Sequence, residues 1–482
     1  MRDGDLLAYK GVPFAAAPVG ALRWRAPEAV VPWSGVRPAT AFAPACLQNG
    51  VSMPGEVLSR TSEDCLYLNV WTPAANWAAK LPVLVWIHGG GFTNGSASMP
   101  LYSGDRLARR GIVVVTVAYR LGAFGFLAHP ELSAETAQKS SGNYAFRDQI
   151  AALQWVQRNI GAFGGDPTRV TIAGQSAGAM SVNILMASPL AKGLFHRAIG
   201  QSGGFFEPVQ LAPQYLLANA ERDGVAFAAS LGATSVEALR RLPPEAVLKA
   251  NAGRISHPVI DRHVLPRTPF EVCSERRQTP VPLLVGVNAE EARSLSDVSK
   301  VTAPSFAADI TKTFGPLPPP LIEAYPFKTD GEARAARIAF ETDLRFGWNM
   351  WTWARLHAAA GAPVFSYRFA QHPPFPQGSP YAGWGPAHFA ELWYMFDHLD
   401  QAPWPWRAED RRLAQTMAAY WVNFVKTGNP NGASVPAWPA FAGSTGPLLV
   451  LTDKPTVGTP DRPNALAVFD SVYTQLRGAP LR

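Results

Sequence analysis

Two hydrophobic periods alternate along this chain. Unbroken apolar and β-branched runs at 81–87, 112–119, 170–173, 197–200, 283–287 and 364–369 have the length and composition of strands buried on both faces. Between them, 146–159, 177–186 and 411–425 repeat apolar residues at three- and four-residue steps, as a helix with one buried face does. Strand and crossover helix in alternation predict an α/β architecture, a central and mostly parallel sheet with helices on both faces. The intervals 211–249 and 305–360 interrupt that alternation with helix-favouring, aromatic-containing sequence. They read as cap-like insertions, spanning about 205–250 and 300–360, around a gorge. Trp348, Trp351 and Trp353 fall in the second; they either line the gorge or pack a helix against the core, and core packing is the reading that large aromatics favour.

Two strand runs end in glycine-rich turns that carry chemistry. Val170-Thr171-Ile172-Ala173 leads into Gly174-Gln175-Ser176-Ala177-Gly178, which opens the helical stretch 177–186. Glycines on both sides of a serine let the backbone turn sharply from strand to helix and expose the hydroxyl, so Ser176 is the candidate nucleophile. Upstream, 81–87 runs into His88-Gly89-Gly90-Gly91-Phe92. Consecutive glycines allow backbone N–H groups to converge on one point, which a developing oxyanion requires; Gly90 and Gly91, with the N–H of Ala177, are the candidate donors. A phosphate-cradling loop is the competing reading, but no Gly-Lys-Ser/Thr follows.

With these motifs the chain resembles the type-B carboxylesterase and lipase family of the α/β-hydrolase fold, in particular its bacterial para-nitrobenzyl-esterase-like members. The likeness extends over nearly the whole chain: KGVPFAAAPVGALRW from Lys10, SEDCLYLNVWTP from Ser62, HGGGF from His88, YRLGAFGFL from Tyr119, and GNYAFRDQIAALQWVQRNIGAFGGDPTRVTIAGQSAG from Gly142. It implies a serine esterase working through an acyl-enzyme, with no metal or organic cofactor and a small-molecule ester as substrate. The resemblance extends to the remaining catalytic groups. Serine hydroxyls need a base, itself oriented by a carboxylate. Gly385-Pro386-Ala387-His388-Phe389-Ala390-Glu391 is similar to the family's histidine loop, which makes His388 the base. Gly286-Val287-Asn288-Ala289-Glu290-Glu291 offers two adjacent acids, of which the match selects Glu291. The order Ser176, Glu291, His388 is that of α/β-hydrolases.

By the resemblance Gln175 is expected inside the site near His388. Ser202 either sits beside the acid or belongs to an ordinary strand-end turn; Phe205 and Phe206, close in sequence to the strand after the elbow, are candidates for the acyl side, and Phe92 is a further substrate-binding candidate. His88, His257 and His263 read as structural. Cys46 and Cys65 stand where the family often has a disulfide, a bond worth about 3 kcal/mol, with two reduced buried thiols as the alternative, while Cys273 is left as a buried thiol. Two departures narrow the substrate. Relatives commonly carry glutamate where this chain has neutral Gln175, and the Cys46–Cys65 loop holds no tryptophan of the kind cholinesterases stack on choline, so cholinesterase activity is not expected.

Length and composition add bounds. The 482 residues, 47% hydrophobic and 16% charged, suit one large ordered domain spanning 1–482; the 44 prolines and 41 glycines are spread over many connections. The net charge of +7 is scattered without a basic run, which lends little support to a nucleic-acid partner, and none is expected. No apolar run approaches the roughly 18 residues of a spanning helix. The first residues lack the apolar core of a signal peptide, which would fit the cytoplasm, whereas the expected disulfide favours a periplasmic or secreted setting. Asn94-Gly95-Ser96 fits a glycosylation pattern but reads as a turn. Amide, carbamate or toxin-detoxifying hydrolysis would use the same machinery, and a non-catalytic binding module could share the fold. Nothing in the sequence fixes an oligomeric state.

Overall fold

Strands that read as unbroken apolar runs end up covered on both faces. In the computed structural model Val83, Leu84, Val85, Trp86 and Ile87 are fully buried, as are Val113, Val114 and Val115, because a parallel sheet flanked by helices leaves no solvated side for polar residues. The structure describes residues 1–51, 53, 56, 58, 60–443 and 445–478, with positions 2 and 3 by backbone alone. The chain divides into two compact units. Met1–Ile199, Ala212–Val281 and Val425–Gly428 make the first; Gly200–Leu211, Pro282–Phe424 and the described residues from Asn429 onward make the second.

In the first unit the strand order is Arg2–Asp3, Leu6–Pro13, Tyr67–Thr72, Val113–Val117, Leu81–Ile87, Gly165–Gln175 and the Arg197–Ile199 part of Arg197–Gln201. Leu81–Ile87 is parallel to both its neighbours, Val85 facing Val115 on one side and Ile172 on the other. The pairings toward the amino-terminal edge are antiparallel. The expected strand 112–119 is Val113–Val117, and 170–173 is the buried centre of the longer Gly165–Gln175. Leu6–Pro13 escaped the pattern because its burial alternates irregularly and a bulge separates Tyr9 from Val12. Helices Tyr144–Asn159 and Ala177–Ala187 occupy the predicted positions, and the interval 211–249 contains Leu217–Ser230, Val236–Arg240 and Pro244–Asn251. Cys46 and Cys65 are disulfide-bonded; burial pushes the remaining thiol, Cys273, up to about 12.

In the second unit Leu283–Asn288, Val364–Phe369 and Leu448–Leu451 run parallel, with Val285 opposite Ser366 and Phe369 opposite Leu451, and Thr456–Gly458 adds an antiparallel edge. The last two strands are only four and three residues long, too short for periodicity to register. The interval 305–360 is helical: Asp330–Thr342 starts at a capping box between Thr329 and Glu332, passes through a π-helical turn at Asp343–Gly347, and continues as Trp348–Ala359. Trp348 and Trp353 are fully buried, Trp353 against Gly200, where a Cβ would overlap its ring. Trp351 is partly exposed, with the Arg355 guanidinium 3.6 Å over its ring. Among the described residues no helix is long and apolar enough to cross a membrane.

Candidate active site

Ser176 lies where Gly165–Gln175 ends and Ala177–Ala187 begins, with φ 56° and ψ −125°. A non-glycine residue held there stores on the order of 1–3 kcal/mol of backbone strain. The surroundings enforce it: a Cβ at Gly174 would collide with the Gly178 carbonyl, and one at Gly178 with the carbonyl oxygen of Ile87. Within 174–178 only Ser176 is not buried. Ala177 occupies the first helical position, where a backbone N–H has no acceptor within the helix.

The glycine loop sits in the same unit. Gly90, Gly91 and Phe92 have φ values of 108°, 60° and 60°. The Gly90 carbonyl accepts the N–H groups of Thr93 and Asn94 and the Thr93 hydroxyl, which closes a tight turn. Gly89 abuts Ser176, since a Cβ there would lie 3.1 Å from the Ser176 Cβ. His88 organises the entry: its ring stacks on Tyr119 at 4.4 Å, its carbonyl accepts the Tyr119 hydroxyl at 2.7 Å, and burial lowers its pKa to about 4, which keeps the ring neutral. The Phe92 ring is buried between Phe126 and Phe146, and its observed contacts are packing contacts.

The expected acid and base, Glu291 and His388, lie together in the second unit. His388 Nδ1–H donates to Glu291 Oε2 at 2.6 Å, with both side chains buried. The other oxygen, Oε1, accepts the Ser202 hydroxyl at 2.5 Å and the Asn288 N–H at 2.6 Å. Glu290 points elsewhere, paired with Arg293 and partly exposed. With Nδ1 committed to the carboxylate, Nε2 carries the lone pair of the neutral imidazole. Phe346, in the π-helical turn, stacks on the ring at 4.5 Å.

Sequence reasoning passed over a second carboxylate. Glu391 is fully buried, and burial, helped by the charge of Glu291, raises its pKa to about 8 despite donors from Asn288 Nδ2 at 2.6 Å and Gln201 Nε2 at 3.2 Å. It is therefore a neutral acid at pH 7. Its spacing of three residues after His388 was the available signal. Phe205 and Phe206 follow on from Ser202; the Phe206 N–H donates to Asn349 Oδ1 at 3.0 Å, and its carbonyl accepts Arg477 Nη2 at 2.6 Å. Gln175 is fully buried in the first unit. His257 rests near Tyr215, the His263 N–H donates to Asp261, and burial lowers the pKa of both imidazoles. Among the described residues no three His, Cys, Asp or Glu side chains gather to hold a metal.

A carboxylesterase family model matches residues 2–313 and 320–469. The fumonisin B1 esterase of Sphingopyxis macrogoltabida is 37% identical over 460 residues, covering 91% of this chain and 82% of that protein. The para-nitrobenzyl esterase of Bacillus subtilis strain 168 is 37% identical over 477 residues, covering 93% and 92%. Among solved structures, the carboxylesterase EST55 of Geobacillus stearothermophilus superposes with a TM-score of 0.82 at 36% identity, covering 97% of each chain.

Proposed function

Because this chain belongs to the carboxylesterase family, with its α/β-hydrolase fold, we propose that its hydrolysis of carboxylic esters runs through Ser176, His388 and Glu291. His388 Nε2 takes the Ser176 proton as the hydroxyl attacks the ester carbonyl. The N–H groups of Gly90, Gly91 and Ala177 receive the oxyanion, each such donor being worth about 2.7–4 kcal/mol in the transition state. Glu291 fixes the imidazole and stabilises it once charged; the imidazolium then protonates the departing alcohol, leaving an acyl-enzyme. Water activated by the same nitrogen releases the acid. The observation that carries this reading is the backbone at Ser176, held at φ 56° between strand and helix, with Ser176 partly exposed among buried neighbours.

The substrates are neutral small-molecule esters, since Gln175 adds no charge; Phe92, Phe205 and Phe206 are the apolar walls. Ser176→Ala should fold and lose at least about three orders of magnitude in kcat. A fluorophosphonate should label wild type at Ser176, and hydrolysis of graded nitrophenyl esters should exceed that of the matching amides. Substantial turnover by the variant would remove Ser176 as nucleophile. The Cys46–Cys65 bond supports a periplasmic or secreted location, which fractionation of the producing cells would test, recovery in the cytoplasm alone counting against it.

A further inference from the structure

Gln48 touches neither the Ser176 elbow nor the acid–base pair, yet its amide makes three hydrogen bonds that converge on the glycine loop. Nε2 donates to the Cys46 carbonyl at 3.0 Å and to the Gly95 carbonyl at 2.9 Å, and Oε1 accepts the Gly95 N–H at 2.8 Å. The side chain is 7% exposed although Asn49 and Gly50 beside it are exposed. It grips both polar groups of one residue, as a neighbouring strand would, and through Cys46 it ties that grip to the disulfide.

Gly95 is where the loop leaves the site. At φ 110° its backbone presses so closely on the loop's entrance that a Cβ would strike the Gly89 carbonyl and His88 Nδ1. Gly89 in turn lies against the Gln175 carbonyl and the Ser176 Cβ. Two residues on, the Ala97 carbonyl is held by Thr116 Oγ1 at 2.8 Å and Asn69 Nδ2 at 3.2 Å, both carried on strands. Gly90, partly buried, and Gly91, exposed, form the turn between these fixed ends.

We infer that Gln48 is a positioning residue for the oxyanion donors, holding Gly95 so that the N–H groups of Gly90 and Gly91 are aimed before the substrate arrives. The inference rests on the reading of the 88–95 loop given above. Donors aimed in advance stabilise charge that exists only in the transition state, so the effect of Gln48 falls on kcat rather than on ground-state binding. A shift of the order of 1 Å in such a group costs up to about a hundredfold.

Two variants test it, with turnover expressed per active site counted from the nitrophenol burst so that unfolded protein does not enter. Gln48→Met removes all three bonds at similar volume. It should lower kcat about tenfold or more with KM within about twofold, and weaken a trifluoromethyl ketone, whose hemiketal oxyanion uses the same donors, by the same factor as kcat/KM. Gln48→Glu keeps the shape but sets a carboxylate against two carbonyls. Once protonated, it can again donate to the Gly95 carbonyl while accepting the Gly95 N–H. Its kcat relative to wild type should therefore rise as pH falls, with burial lifting its pKa toward neutrality. A fold-only role would leave that ratio flat. Per-site kcat within about twofold of wild type in both variants, or a flat ratio in Gln48→Glu should Gln48→Met not fold, overturns the inference. A wild type that forms no ketone adduct, with full turnover by Ser176→Ala, would mean that the site itself was misread, and the inference falls with it.

Discussion

A carboxylate with both oxygens occupied cannot swing away from its partner. Glu291 is in that position: Ser202 and the Asn288 N–H hold Oε1 while Oε2 receives His388. The neighbouring acid, Glu290, has its charge answered by Arg293 at the surface and makes no such set of bonds. Neutralising the two should have unequal effects. Glu291→Gln presents an amide that cannot accept from Nδ1–H and stabilise imidazolium equally well, and kcat should drop roughly a hundredfold or more. Glu290→Gln loses a half-exposed ion pair worth at most about 1 kcal/mol and should stay near wild type. Nitrophenyl acetate turnover by both variants at saturating substrate decides it, and equal losses would move the acid role off Glu291.

At the scale of elements, the junction of Gly165–Gln175 with Ala177–Ala187 depends on what it lacks. Gly178→Ala would place a methyl group on the Ile87 carbonyl, which ends the neighbouring strand. Neither partner is the free end of a flexible chain, so stability should fall by at least about 1–3 kcal/mol, as overpacking does, and turnover should fall with it. Urea unfolding checks the first, and an unchanged midpoint would mean that the elbow relaxes. Such junctions are readable in a linear sequence because every residue they need is local. Leu81–Ile87 and Leu283–Asn288 were readable for a related reason: burial on both faces writes itself as an unbroken apolar run. Tyr67–Thr72 and Leu448–Leu451 are strands because of the partners they find, and propensity does not record partners. The same limit hid Gln48, Asn288 and Glu391. A buried polar side chain takes its role from groups far along the chain, Asn288 and Glu391 being 103 residues apart, and nothing in the composition of either segment announces the pairing.

For the molecule as a whole, a neutral buried acid makes stability depend on pH in an unusual direction. The folded pKa of Glu391, about 8, lies above the ordinary 4.5. Its contribution is therefore complete below about pH 4.5 and is lost as pH rises toward 8, because the unfolded chain gives up a proton that the folded one retains. Glu391→Gln replaces the acid with a permanently neutral group. Wild type should lose unfolding free energy relative to this variant across that window, and parallel stability curves from urea titrations between pH 5 and 8 would show Glu391 to be ionised in the native state. The close contacts around Ser176 reach further still. Gly89, Gly174 and Gly178 meet backbone or the Ser176 side chain with no room for a methyl group, so Ser176 and the glycine loop can drift only as one body. Natural variation and laboratory libraries alike should therefore find their freedom outside that body. On the proposed assignment of Phe205 and Phe206 as substrate walls, substitutions at 205–206 should trade one ester for another while the packed body around Ser176 is inherited unchanged, a division of labour that lets a lineage explore new substrates without first losing the reaction.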